Sequence, residues 1–227
     1  MPHYPVYLDL TGRDCAVLGG CAMAEEKARG LLAAGARLTV YARELTPGLA
    51  ELAAAGALRH EPRDYREGDL AHCFLAIVTT PDPAVRDAAW SEAWARKVLL
   101  NTVDDVPRCN WIAPAIVRRG DLTVAISTGG KDPALAVRLR QELEARLGEE
   151  HARFLDLAGR ARAPLAARHP DFGERRDLWY RLVDSDVLDL LRSGREDEAL
   201  ARFEEILGVA ATSLSIEPST SAAGGSR

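Results

Sequence analysis

At 227 residues, with 47% hydrophobic and 28% charged side chains, the chain has the composition of a soluble globular protein, one large domain or two small ones. A net charge of −5 argues against nucleic-acid binding, which needs clustered cations, while acidic and neutral partners stay open. No apolar run reaches the roughly 18 residues of a membrane span, and the N-terminal run Met-Pro-His-Tyr-Pro-Val-Tyr-Leu lacks the parts of a signal peptide, so no membrane contact and a cytoplasmic location are expected.

The N-terminal half alternates strands with helices. Residues 14–27, Asp-Cys-Ala-Val-Leu-Gly-Gly-Cys-Ala-Met-Ala-Glu-Glu-Lys, read as a buried strand ending at Leu18, a tight turn on Gly19, and a helix that starts near Ala22 and stops at Gly35. A dinucleotide needs that order, because its pyrophosphate sits on the positive end of the helix. Gly19, Gly20, Cys21, Ala22, Met23 and Ala24 follow the G-x-G-x-x-G/A fingerprint with one departure. Cys21 places a Cβ and a sulfur where a glycine lets phosphate reach bare backbone. Residues 37–41 form a second strand, and Thr46 caps a helix with Pro47 at its first position and Gly56 just past its end. A short strand near 58–61, an unbroken apolar strand at 74–78, a helix over about 83–96 and a strand at 98–101 follow. The pattern predicts an α/β fold with a doubly wound parallel sheet.

Beyond Asn101 the rhythm changes. Residues 112–117 and 122–127 form a hairpin-like pair joined by Arg118, Arg119, Gly120 and Asp121. Thr128-Gly129-Gly130-Lys131 leads to Asp132, an N-cap, and Pro133 at the first helical position. The next helix spaces Leu135, Leu139, Leu143 and Leu147 four apart, a face that asks for a partner. Residues 149–207 read as helices separated by breakers such as Pro170, Gly173 and Gly194, and a Ser-, Thr-, Ala- and Gly-rich tail from 210 to 227 is expected to be disordered. Domains are placed at 1–112 (nucleotide-binding), 113–148 (connecting segment) and 149–209 (helical).

Three constellations carry chemistry. At the end of the second strand, Glu44 suits the ribose hydroxyls of NAD and Arg43 the 2′-phosphate of NADP, and both readings stay open. Asp104 and Asp105 follow the last strand, where ligands of open α/β sheets bind; either could take a proton, give an oxygen to a metal, or simply cap a turn. Ser127-Thr128-Gly129-Gly130-Lys131, with Arg118 and Arg119 before it and Arg138 after it, forms either a receptor for a polycarboxylate or a plain turn flanked by solvated cations. Cys15 and Cys73 read as core, Cys109 is left open, and five histidines without ligand spacing predict no metal site.

Taken together, residues 5–10 (Pro-Val-Tyr-Leu-Asp-Leu), the glycine turn with Ala24 and Lys27, and residues 32–39, 101–105, 114–122 and 127–136 resemble the precorrin-2 dehydrogenase/sirohydrochlorin ferrochelatase module of siroheme synthase. The likeness runs from about 3 to 207 and includes Gly173-Glu174-Arg175-Arg176. The resemblance implies a homodimer built from a Rossmann-like domain, a dimerisation segment (113–148) and a small C-terminal helical domain. It implies oxidation of precorrin-2 to sirohydrochlorin with NAD, then insertion of Fe2+ to give siroheme. The family's catalytic aspartate falls on Asp104, its cofactor contacts on Gly19, Gly20, Cys21, Ala22, Met23, Arg43 and Glu44, and a phosphorylatable serine on Thr128. Arg118, Thr128, Gly129, Lys131 and Arg138 are the expected substrate contacts. Uroporphyrinogen methylation would fall to a separate partner. Cys21 in place of a third glycine, Glu26 for an arginine, and Thr80-Pro81-Asp82 with Arg86 for Thr-Asp-Asp and an asparagine depart from the pattern. Two alternatives follow: a chelatase with impaired NAD binding, and a non-catalytic tetrapyrrole-binding Rossmann dimer.

Overall fold

The computed structural model describes residues 3–210 and divides into two units. The first runs to Ala113 and includes Ser127–Pro133; the second comprises Pro114–Ile126 and the chain from Ala134 onward.

In the first unit, β1 (Asp14–Leu18), β2 (Arg37–Tyr41), β3 (Arg59–Glu61), β4 (Leu75–Val78) and β5 (Leu99–Thr102) form a parallel sheet in the order β3-β2-β1-β4-β5. Successive side chains point to opposite faces, and the central strands β1 and β4 are covered on both, which is why β4 and most of β1 are continuous apolar runs. Cys15 and Val17 of β1, with Leu75 and Ile77 of β4, pack with Ala24, Ala28 and Leu31 of α1 (Ala22–Ala33) and Leu49 of α2 (Pro47–Ala54). Ala16, Leu18, Ala76 and Val78 turn to the other face and meet Ala89 and Ala93 of α3 (Pro83–Arg96). The sheet is therefore buried on both sides, as the doubly wound reading requires.

Local chemistry sets the ends. Gly35, at φ +79°, takes the left-handed turn that ends the first helix, and its carbonyl accepts from Gly12 N at 2.8 Å. Thr46 Oγ1 accepts from Leu49 N at 3.3 Å, and Asp82 Oδ1 from Ala84 N at 2.9 Å, each ahead of a proline at the start of its helix. The free edge of β5 is closed by side chains. Asn110 Oδ1 accepts from Leu100 N at 2.7 Å and Asn110 Nδ2 donates to Val98 O at 2.8 Å, so one residue serves as a strand partner.

The second unit holds an antiparallel hairpin, β6 (Ala115–Arg119) and β7 (Leu122–Ile126), followed by α4 (Pro133–Arg146), α5 (Glu149–Arg168), α6 (Phe172–Val183), α7 (Val187–Arg192) and α8 (Glu196–Leu207). The hairpin turn is tighter than the sequence predicts. Arg119 pairs with Leu122 and only Gly120, at φ +55°, and Asp121 lie between them, so Arg118 and Arg119 belong to the strand. Gly173 lies in the first turn of α6 and breaks nothing. Leu157, Ala161, Leu165, Leu182, Phe203 and Leu207 make the helical core, with the rings of Phe154 and Phe203 5.6 Å apart. No residue of α4 is buried, and Leu135, Val137 and Leu139 are exposed. Apart from Ala210, the tail expected at 210–227 lies outside the described residues. Among those described, no helix is long and apolar enough to cross a membrane.

Candidate active site

The chain lays β2 and β3 on one side of β1, then returns to place β4 on the other, so the carboxyl ends of β1 and β4 open a crevice. A cavity of about 250 Å3 lies there, lined by the glycine turn, the end of β2 and the segment after β4. Gly19, at φ +121°, donates to Tyr41 O at 2.9 Å. A Cβ on Gly19 would collide with Thr79 Oγ1, and one on Gly20 with the Glu44 carbonyl. The two glycines are thus demanded by the walls of the turn itself. Cys21 is the N-cap of α1, is exposed and lines the cavity. Burial would raise the pKa of this thiol, but the backbone N–H groups of Ala24 and Met23 and the Thr79 hydroxyl outweigh it and hold it below the ordinary thiol value. Met23 is exposed on the first turn beside Ala22. An open helix end at a switch-point cavity fits a dinucleotide, with a sulfur on the rim in place of bare backbone.

At the end of β2, His60 Nε2 lies 2.9 Å from Ala42 O, tying β3 to the segment that carries Arg43 and Glu44. Both line the cavity and both are exposed, but Arg43 is engaged: its guanidinium pairs with Asp64 at 2.6 Å. Sequence reasoning missed Asp64 and Tyr65, which line the same cavity. They follow β3 at the carboxyl edge, so the rule that singled out Arg43 also reaches them.

After β5 the structure separates the two aspartates. Asp105 is 12% exposed, with Oδ2 2.8 Å from Arg108 Nη1 and 3.7 Å from Arg86 Nη1, and Arg86 Nε donates to Thr80 O at 2.8 Å. Asp105 and Arg86 thereby tie together the loops after β4 and β5. Asp104 is exposed, has a left-handed backbone at φ +58°, and its carboxylate takes no partner among the described residues. Cys109, left open by the sequence, organises this loop. Its sulfur accepts from Thr102 N at 3.2 Å and lies 3.3 Å from the carbonyls of both Thr102 and Asp105, while burial pushes its pKa up.

The 127–133 segment belongs to the same unit, and a Cβ on Gly130 would stand 3.4 Å from Val106 Cγ2, placing this turn beside the Asp104 loop. Several of its N–H groups are already used: Gly129 N donates to Ser127 Oγ, Asp132 N to Thr128 Oγ1 and Lys131 N to Thr128 O. Anion attraction therefore falls to side chains, of which Lys131 is exposed. Arg118 on β6 and Arg138 on α4 are exposed on the second unit. Among the described residues, no three His, Cys, Asp or Glu side chains cluster as a metal site.

The strand order, the switch-point cavity and the helix end on it define a dinucleotide-binding protein of the doubly wound α/β class. Family models agree in series along the chain: putative NAD(P)-binding at 6–115, the sirohaem biosynthesis central region at 119–146, and the sirohaem synthase dimerisation region at 150–207. The siroheme synthase of Chromobacterium violaceum is 39% identical over 204 residues, covering 90% of this chain and 43% of that protein. That of an Escherichia coli strain is 37% identical over 207 residues, covering 91% and 45%. The solved structure of SirC, precorrin-2 dehydrogenase, matches with a TM-score of 0.71 at 29% identity, over 89% of this chain and 100% of that one. Matched in series by these models and by SirC over its whole length, the chain is similar along most of its length to the siroheme synthase and precorrin-2 dehydrogenase module. It spans less than half the length of the curated relatives named.

Proposed function

We propose that the protein oxidises precorrin-2 to sirohydrochlorin with NAD and then admits Fe2+ to give siroheme, working as a homodimer on a tetrapyrrole that a separate uroporphyrinogen methyltransferase supplies. The observation that carries this reading is Asp104: an exposed carboxylate without a partner among the described residues, held on the carboxyl edge of the sheet that also holds the nucleotide cavity. NAD, when bound, supplies the hydride acceptor. The N-terminus of α1 would orient the pyrophosphate, while Arg43 and Glu44 would stand at the adenosine end. Asp104 would accept the ring proton released as the macrocycle is oxidised, then the pyrrole protons displaced when the metal substrate enters. Lys131, with the Thr128-Gly129 turn, would meet the substrate's carboxylates. The exposed face of α4 and the dimerisation-region match at 150–207 support the pairing of two chains.

Anaerobic incubation with precorrin-2 and NAD, read by absorbance with and without Fe2+, tests the whole reading. Formation of sirohydrochlorin and NADH, then siroheme on adding iron, is expected. Cys21 on the cavity rim favours one rival, a chelatase that binds NAD poorly. Metal insertion without saturable NAD binding at millimolar cofactor would select that rival. Retention of sirohydrochlorin without either turnover would select a tetrapyrrole-binding dimer.

A further inference from the structure

The cavity wall built by the β3–β4 connection carries a charge arrangement that bears on which dinucleotide enters. Arg43 stands two residues past β2, the position that faces the adenosine ribose in this fold. An arginine near that place accommodates a 2′-phosphate. Here it is already committed: Arg43 Nε donates to Asp64 Oδ2 at 2.7 Å and an Nη nitrogen lies 2.6 Å from the same oxygen. Although the Asp64 side chain is 53% exposed, its backbone is held from both sides. Arg63, the residue before it, makes a two-pronged pair with Asp69 at 2.7 and 2.8 Å. Tyr65, the residue after it, donates its hydroxyl at 2.5 Å to Glu92, whose side chain is 3% exposed and also accepts from Gly68 N at 2.9 Å.

Resting on the cofactor reading above, we propose that Asp64 is a specificity-determining residue that excludes 2′-phosphorylated dinucleotide and so selects NAD over NADP. A 2′-phosphate, carrying roughly 1.5 to 2 negative charges near neutral pH, would have to approach a fixed carboxylate and pull Arg43 from it. A ribose with free hydroxyls leaves the pair intact and can donate to Asp64 Oδ1, which takes no protein donor among the described residues.

Equilibrium titrations of the full chain with NAD, NADP, 5′-AMP and 2′,5′-ADP test this in wild type, Asp64→Asn, Asp64→Ser and the Arg43→Ala/Asp64→Asn double variant. In both Asp64 variants the ratio of Kd for NADP to Kd for NAD falls about tenfold, and 2′,5′-ADP gains affinity in parallel. The gain shrinks with added salt and disappears in the double variant, because the released Arg43 supplies it. An unchanged ratio in both single variants, with wild type binding NAD, overturns the assignment of Asp64 alone. Wild type that binds none of the four ligands overturns the cofactor reading, and this assignment with it.

Discussion

Asp104 combines a left-handed backbone with a solvent-facing carboxylate that takes no partner among the described residues. Holding a non-glycine residue there costs on the order of 1 kcal/mol, which glycine avoids. Asp104→Gly should therefore keep or raise the midpoint of denaturant unfolding while turnover of precorrin-2 falls by at least about a hundredfold, the usual loss of a general base. Lost stability with retained turnover would make Asp104 a structural turn residue. Cys21 offers a second test at this scale. Its lowered pKa means that thiolate forms at a pH below the ordinary thiol value, whereas burial pushes Cys15 up to about 11. Iodoacetamide should label Cys21 well ahead of Cys15, with a pH inflection below 9, and bound NAD should slow that labelling. Equal rates for the two thiols would contradict the environment described at the head of α1. The residue pattern alone located both aspartates after β5 without ranking them, and the resemblance singled out Asp104. The difference lies in which one meets Arg108, in the turn after β5, and Arg86, on the first turn of α3.

Among the elements, the glycine turn shows how packing can share a motif with ligand binding. The fingerprint reading assigns its glycines to the turn and the phosphate, whereas the structure has β2's exit and β4's exit pressed against them. Gly20→Ala should cost about 1–3 kcal/mol, since its Cβ meets the Glu44 carbonyl and the backbone there must shift. Chemical denaturation with NAD absent checks this, and an unchanged midpoint would mean that the turn relaxes freely. Most elements were legible because strands covered on both faces are continuous apolar runs and because Thr46, Asp82 and their following prolines mark helix starts. The hairpin turn was read two residues too wide. Arg118 and Arg119 look like loop residues, yet strand backbone accepts arginine readily when its side chain reaches solvent, as Arg118 does, or a nearby carbonyl, as Arg119 does with Glu144 O at 3.0 Å.

Over the molecule as a whole, α4 is the outstanding feature, fourteen residues of helix without one buried side chain. Its leucine spacing predicts a face to cover, and the proposed homodimer covers it. Leu139→Lys should then shift the protein from dimer to monomer in sedimentation at micromolar concentration, because an ammonium in an apolar interface loses its hydration. An unchanged mass would move the pairing surface elsewhere, the dimerisation-region match at 150–207 being the next place to probe.

By itself the sequence determined the parallel sheet, the capped helices, the nucleotide-binding turn and the segment carrying Asp104, because these follow from side-chain periodicity and from rules that act over a few residues. Only the tertiary structure decided which aspartate stays free, what engages Arg43, and that Cys109 holds the loop after β5. Each of those depends on groups distant in the chain meeting at hydrogen-bond range, and local pattern carries no record of such encounters.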